Sequence, residues 1–179
     1  MNKKIIFIGI FLFFFFYSCN NGKSRNEEKE ATVYDKEVLV KVNKGLVEKY
    51  SGIIESYVTR RGWPMEETKT GLWYMIYEKG QGEMTGKGKY ATINYTVHLL
   101  DGTFCYSSDS LGAKTFKIGQ GGVEPGLEQG ILLMKEGDKA KFILPPYIGH
   151  GLLGDSKKIP RLAVIIYDVE LLEVSCRQN

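Results

Sequence analysis

Apolar residues recur at helical spacing between residues 35 and 61. They form one stripe, with members three or four positions apart: Val38, Val42, Leu46, Tyr50, Ile54 and Tyr57. Such a stripe covers one face of an α-helix. Asp35 suits the N-terminal cap and Gly62 the C-terminal stop, so the pattern predicts an amphipathic helix over residues 35–62. The stripe fits two arrangements, packing on its own domain or forming a homodimer by pairing of residues 35–61.

After Trp63 the apolar period changes from helical to alternating. Residues 91–98 alternate strictly between apolar and polar side chains, which is typical of a half-buried strand. Four further segments favour strands: residues 72–77, 115–119, 139–144 and 163–174. Residues 125–134 predict a short helix, because Pro125 suits its first turn and Leu127, Ile131 and Met134 share a face. One short helix among about five strands predicts an α+β fold with an antiparallel sheet.

The first residues are typical of an export signal. Lys3 and Lys4 precede an apolar run over residues 5–17, which is shorter than the roughly 20 residues of a membrane-spanning helix. The pair Ser18-Cys19 that follows is similar to a bacterial lipobox. We therefore predict a lipoprotein signal peptide over residues 1–18, palmitate-type lipidation of Cys19, and a polar tether over residues 19–34. The alternatives are an ordinary signal peptide or an uncleaved anchor.

Charge and composition exclude several classes of function. The chain has 179 residues and a net charge of +3, and loss of residues 1–18 leaves 22 basic and 21 acidic residues. This balance does not favour a nucleic-acid partner. The two histidines lie far apart in the sequence, so no histidine-rich metal site is expected. Beside Cys19, Cys105 and Cys176 are able to pair in an oxidising envelope, but the sequence does not show that they do.

Two further motifs bear on nucleotide binding and on hydrolysis. The glycine-rich residues 119–126 lack the Lys-Ser/Thr of a phosphate-binding loop and do not lie in a βαβ unit. Ser107 and Ser108 fall in a predicted turn with no triad spacing beside them. Neither nucleotide binding nor nucleophilic hydrolysis is therefore favoured.

Residues 71–176 contain five distinctive runs: GLWYMIYEKGQG, INYTVHLLDGTFCYSS, FKIGQGGVEPGLEQGILLMKEGDKAKFILPP, GHGLLGDSKKIP and AVIIYDVELLEV. In this order they resemble the FKBP family of peptidyl-prolyl cis–trans isomerases. The resemblance implies an antiparallel sheet wrapped around one short helix, with an apolar, aromatic cleft for a proline ring between them. The leading helix and the lipobox also resemble envelope lipoproteins of this family, including those associated with gliding motility.

The resemblance assigns roles to ten residues of this pocket. Four are expected to act on the isomerising bond: Tyr95, Tyr106, His150 and Tyr167. Six are expected to bind substrate: Cys105, Phe116, Val123, Glu124, Leu127 and Ile159. Glu124 is expected to act through its backbone N–H, which holds the carbonyl before proline.

The pocket departs from the family pattern at several positions. Leu127 stands where the family usually has Trp, and the usual F-D-S-S reads Cys105-Tyr106-Ser-Ser. His150 replaces a tyrosine that hydrogen-bonds a substrate carbonyl. If His150 donates to substrate, its protonation places a charge in a dry pocket, so activity is expected to fall below about pH 6.

These residues imply a peptidyl-prolyl isomerase that assists folding of cell-envelope proteins. The protein is expected to be lipid-anchored and to face the periplasm, with proline-containing polypeptides as partners. Isomerisation makes and breaks no covalent bond, so no cofactor and no metal is expected. The alternative is a non-catalytic FKBP-like module that binds polypeptide or an assembly partner, which the departures in the pocket favour.

Overall fold

The computed structural model describes the backbone of residues 24–176 and the side chains of residues 43–176. The predicted signal peptide (residues 1–18) and Cys19 lie outside this range. The chain divides into two compact units, residues 1–44 and 45–179. The described part of the first unit is helical, and the second unit holds the sheet and the candidate site.

Helix α1 spans Ser24–Arg61 and so begins earlier than the pattern predicted. The expected cap at Asp35 is wrong, and the predicted tether is helical from Ser24 onward, in a segment with three glutamates, which have high helix propensity. The predicted stop at Gly62 is confirmed. Gly62 has a φ of +64°, its N–H donates to the Thr59 carbonyl, and the Trp63 N–H donates to the Val58 carbonyl. These two bonds form a Schellman motif, which satisfies the last carbonyls of the helix.

Within the described residues, seven strands form one antiparallel sheet. The elements that follow α1 are β1 (Glu66–Glu67), β2 (Trp73–Glu78), β3 (Tyr90–Leu99), β4 (Phe104–Ser107), α2 (Ser108–Leu111), β5 (Lys114–Lys117), α3 (Pro125–Ile131), β6 (Lys139–Leu144), a 3₁₀ turn (Pro146–Ile148) and β7 (Ile165–Ser175). The order in the sheet is β1-β2-β6-β7-β3-β4, and β5 also pairs with β3. The predicted α+β class, an FKBP-like sheet with a short helix, is confirmed. The sequence did not predict β1, β4 or α2.

One face of the sheet packs on α3. Leu127 and Ile131 of α3 are fully buried against Phe142 of β6 and other inward-facing strand residues. The helix ends at Ile131 rather than at residue 134 as predicted, because the chain tightens there into i→i+3 hydrogen bonds. Met134 nevertheless remains fully buried in this core.

The opposite face of the sheet packs on the C-terminal part of α1. Tyr50, Ile54 and Tyr57 of the predicted stripe are buried, together with Val58. They contact four residues that point outward from the sheet or lie beside it: Trp73, Ile143, Val164 and Ile166. The side chains of Val38 and Val42 lie outside the described range. Of the two arrangements open for the stripe, packing on its own domain is observed for residues 46–58, and dimerisation stays a prediction.

Three further features bear on the expectations from sequence. Cys105 and Cys176 are free thiols, the first buried and the second exposed. Among the described residues, no helix is long and apolar enough to cross a membrane. The same residues contain no group of three or more histidine, cysteine or acidic side chains placed to hold a metal ion.

Candidate functional site

A cavity of about 190 Å³ opens on the side of the sheet that carries α3. Its apolar walls are Ile93, Val97, Leu111 and Leu127. Pockets for drug-sized ligands measure about 300–1,000 Å³, so this cavity suits a single ring or side chain. Its shape and lining favour a small apolar group as the occupant.

Three tyrosines give the cavity an aromatic lining. Tyr95 on β3 and Tyr167 on β7 face each other with ring centroids 6.2 Å apart, and Tyr106 projects from β4. Burial and the nearby Glu124 charge raise the pKa of both Tyr95 and Tyr167. Both hydroxyls therefore stay protonated at neutral pH and can donate hydrogen bonds.

The edge of β3 is interrupted beside the cavity. β5 pairs with residues 90–93 of β3 and β4 pairs with residues 96–98, which leaves the backbone of Asn94 and Tyr95 between them. The Tyr95 N–H donates to Ser108 Oγ, the first residue of α2, at 3.2 Å. Helix α2 thus closes the gap and places Leu111, whose side chain is 64% exposed, at the mouth of the cavity.

A carboxylate and an imidazole form an ion pair in the cavity wall. Glu124 lies at the N-terminal cap of α3, and its Oε1 is 2.7 Å from Nε2 of His150. The Glu124 hydrogen bond and charge raise the pKa of His150 above 6.5, against the opposing effect of burial. Burial alone would raise the pKa of Glu124, but the hydrogen bond from His150, a hydrogen bond from the backbone N–H of Glu124 itself, and the charges of His150 and Lys114 hold it below 4.5. Both groups are therefore charged over a wide range around pH 6.

A second carboxylate fixes the long loop between the 3₁₀ turn and β7, residues 149–164, which carries His150. Asp155 accepts hydrogen bonds from the backbone N–H groups of Lys157 and Ile159 at 2.8 Å, and from the hydroxyl of Tyr106. Burial opposes ionisation of Asp155, but these three bonds lower its pKa to about 2. Loop and strand β4 are thereby tied together beside the cavity.

Six of the ten residues assigned from sequence line the cavity. They are Tyr95, Tyr106, Glu124, Leu127, His150 and Tyr167. Leu127, only 1% exposed, lies in the first turn of α3, where the resemblance places the pocket floor. These six roles stay predictions, but the structure brings the residues together from five separate segments of the chain.

The other four assigned residues lie behind the cavity wall or beside it. Cys105, Phe116 and Ile159 are buried in the main core, and Val123 is half-buried against that core. Cys105 Sγ lies 3.7 Å from the carbonyl of Lys158, so it contacts the long loop from the side of the core. None of the four lines the cavity itself.

Sequence reasoning missed four lining residues and Asp155. Ile93 and Val97 share the inner face of β3 with Tyr95, so the alternating pattern contained the signal that would have found them. Leu111 and Lys114 lie where no periodic pattern exists, and only the folded chain brings them to the cavity. Asp155 lies in the long loop before β7, where no motif or period marked it as a functional residue.

Comparisons with known proteins agree with this geometry. A sequence profile of the family described as FKBP-type peptidyl-prolyl cis-trans isomerase matches residues 82–172. The probable FKBP-type peptidyl-prolyl cis-trans isomerase FkpA of Neisseria meningitidis is 31% identical over 155 residues, which are 86% of this chain and 54% of that protein. FkpA of Escherichia coli is 32% identical over 121 residues, or 67% of this chain and 43% of that protein.

A solved structure also resembles this chain over most of its length. The crystal structure of FkpA from Escherichia coli matches with a TM-score of 0.61 and 29% identity, and the match covers 86% of this chain and 74% of that one. The chain spans about half the length of the curated relatives it matches.

Proposed function

The chain belongs to the family of FKBP-type peptidyl-prolyl cis-trans isomerases, and we propose that it catalyses rotation about peptide bonds that precede proline. The observation that carries this proposal is the small apolar cavity lined by Tyr95, Leu127 and Tyr167, with hydrogen-bond donors at its wall. A proline ring is the substrate group that fits its size and polarity.

The chemistry needs only differential binding. Uncatalysed rotation crosses a barrier of about 18–20 kcal/mol and takes roughly 10–100 s. The planar amide is conjugated and polar, whereas the twisted amide has lost that conjugation. A dry pocket therefore binds the twisted state better than the planar one. A rate gain of ~10⁶ requires about 8 kcal/mol, which desolvation and a few hydrogen bonds can supply.

Four residues of the cavity wall have separate roles in this scheme. The backbone N–H of Glu124 donates a hydrogen bond to the substrate carbonyl, and the Tyr95 hydroxyl supplies a further donor, since the Tyr106 hydroxyl donates to Asp155. Leu127 supports the ring from below. His150 is engaged by Glu124 through Nε2, so this nitrogen serves the pocket wall rather than the substrate.

Turnover of a short X-Pro peptide tests the proposal. Cis–trans exchange, followed by NMR line broadening or by coupling to a protease specific for the trans form, is expected to accelerate on addition of the protein. Binding of the peptide without acceleration would contradict catalysis and would favour the non-catalytic polypeptide-binding module.

We further propose that the protein acts in the cell envelope, lipid-anchored through Cys19 and facing the periplasm, where it assists protein folding. The lipobox-like Ser18-Cys19 supports this, and isomerisation suits a compartment without ATP because it consumes none. Membership of the gliding-motility-associated subgroup stays a prediction.

Fractionation of cells tests the anchor. Cys19→Ser is expected to move the protein from the membrane to the soluble fraction, because lipid chains are then absent. Cys176→Ser is the matched control, since it removes an exposed thiol far along the chain and should leave the protein in the membrane. A Cys19→Ser protein that stays membrane-bound would show that another segment anchors it.

A further inference from the structure

The Glu124 carboxylate contacts a side chain of the pocket and does not cap its own helix. Glu124 occupies the N-terminal cap of α3, yet its side chain makes no capping hydrogen bond. Its Oε1 instead lies 2.7 Å from His150 Nε2, and its Oε2 is buried without a hydrogen-bond partner among the described residues. The two side chains are only 12% and 25% exposed, so water screens the pair weakly.

Several charged or titratable groups surround this pair. Lys114, the first residue of β5, and Asp155 in the long loop act on His150 with opposite signs, and Lys114 also acts on Glu124. Tyr167 from β7, whose hydroxyl interacts with the carboxylate, and Tyr95 from β3 lie on the other side of the cavity, and both are neutral at ordinary pH. Glu124 and His150 are in direct contact. When one of them loses its charge, the charge of the other is no longer balanced by its nearest neighbour.

We propose that Glu124 is a positioning residue, whose carboxylate holds the His150 imidazole in an ion pair and whose balanced charge lets the pocket accept the carbonyl before proline. This inference rests on the proposed function. The substrate carbonyl must approach the Glu124 backbone N–H, which is part of the same residue as the carboxylate. A carbonyl oxygen carries partial negative charge, so an unbalanced carboxylate at this position repels it.

The pair reverses the pH dependence expected from the sequence. A protonated His150 without a partner would disfavour a dry pocket, but here the imidazolium is matched by a carboxylate. Loss of the proton as pH rises through the raised pKa of His150 removes the cation in contact with Glu124 and leaves only the weaker effect of Lys114 to balance the carboxylate. Substrate affinity is therefore expected to fall on the alkaline side of the His150 titration and to hold below it, down to the titration of Glu124.

NMR titration of the two histidines tests the contact directly. In Glu124→Gln, which keeps the size and backbone N–H of the residue, His150 is expected to titrate at lower pH. The ring resonances of His98, which meets Phe104 edge to face with ring centroids 5.4 Å apart, report whether the fold of the variant is unchanged. By linkage, addition of a proline peptide should raise the pKa of His150 in the unmodified protein. An unchanged His150 titration in Glu124→Gln would overturn the proposal.

Peptide affinity across pH tests the consequence. The dissociation constant of an X-Pro peptide is expected to rise about fivefold or more as His150 loses its proton, a size usual for coupled sites. Glu124→Gln should reverse the profile, binding tightly above the His150 titration and weakly below it, where the imidazolium has lost its partner, whereas His150→Gln should bind weakly across the range in which Glu124 is ionised. A structural role alone would weaken both variants. Glu128→Gln removes a carboxylate one turn further along α3 that binds the Gly119 N–H, and should behave as the unmodified protein.

The outcomes separate this inference from the proposed activity. Peptide affinity that follows the expected pH profile without turnover would contradict catalysis alone. Turnover with a pH-independent dissociation constant would contradict the role of Glu124 alone. Absence of peptide binding at every pH would overturn both.

Discussion

At the scale of single residues, the cavity depends on Leu127. Its side chain is almost fully buried in the first turn of α3 and also lines the cavity, so it belongs to the core and the site together. The family usually has Trp at this position, which fills more of the floor. The smaller leucine leaves an apolar floor with less contact area.

Leu127→Ala is expected to lower turnover and to destabilise the protein. Truncation of a fully buried leucine costs about 2–5 kcal/mol, and here it also removes support for the proline ring. Chemical denaturation measures the stability and the peptide assay measures the activity. Leu127→Trp is the reciprocal variant and is expected to raise turnover. Full activity in a folded Leu127→Ala protein would show that the pocket is misplaced.

A single hydroxyl ties the long loop to the sheet. Tyr106→Phe keeps the ring in the cavity but removes the hydrogen bond to Asp155, so we expect a stability loss of about 1 kcal/mol. The pocket wall loosens, which should raise KM more than it lowers kcat. Asp155→Asn weakens the same bond from the other side and should shift KM in the same direction. A Tyr106→Phe protein with lower kcat and unchanged KM would instead place the hydroxyl on the reacting bond.

At the scale of elements, close approach of α3 to the sheet forms the site. A Cβ built on Gly130 would lie 2.7 Å from the Phe142 ring, and one on Gly126 would lie 2.6 Å from Leu144. The helix can therefore approach the sheet only with glycine at these two positions. That approach sets the depth of the cavity floor.

Gly130→Ala and Gly52→Ala are expected to change stability in opposite directions. Helix propensity favours alanine by about 1 kcal/mol at both sites. At Gly130 the clash with Phe142 outweighs this gain and the protein is destabilised, whereas Gly52 in α1 has no heavy atom within 4 Å of an added Cβ and the protein is stabilised. Urea denaturation of both variants measures the difference. Stabilisation by Gly130→Ala would contradict the close packing.

At the scale of the whole molecule, the sheet is covered on both faces. Helix α3 covers one face, and residues 46–58 of α1 cover the other. Ile54 is fully buried there against outward-facing strand residues that a free sheet would expose to water. Residues 46–58 of α1 are thus part of the folded domain and more than a spacer.

Removal of residues 1–70 is expected to leave the pocket residues in place but to destabilise the domain. Exposure of Trp73, Ile143 and Ile166 costs hydrophobic burial and favours association. A chain beginning at residue 43 keeps the packed part of α1 and is the control. Denaturation midpoints and sedimentation of both chains measure the effect. Equal stability would contradict the packing, and a dimeric longer chain with a monomeric shorter one would support pairing of α1 between copies.

Local patterns in the sequence carried much of this structure. The alternation around Tyr95 places Ile93 and Val97 on the same inner face, and Pro125 marks the start of α3. Gly62 ends α1 because its backbone adopts a left-handed conformation, which costs glycine little free energy. Short strands such as β1 and β4 escaped prediction because too few residues repeat in them to show a period.

The sequence by itself determined the fold class, the order of the main elements and the family, since these follow from periodicity and motifs read along one chain. Only the tertiary structure decided which charges meet. Glu124 and His150 are separated by 26 positions, and Tyr106 and Asp155 by 49. No local pattern relates such residues, because their contact depends on how α3, β4 and the long loop pack together. Their pKa values, and with them the expected pH dependence of the pocket, follow from that packing alone.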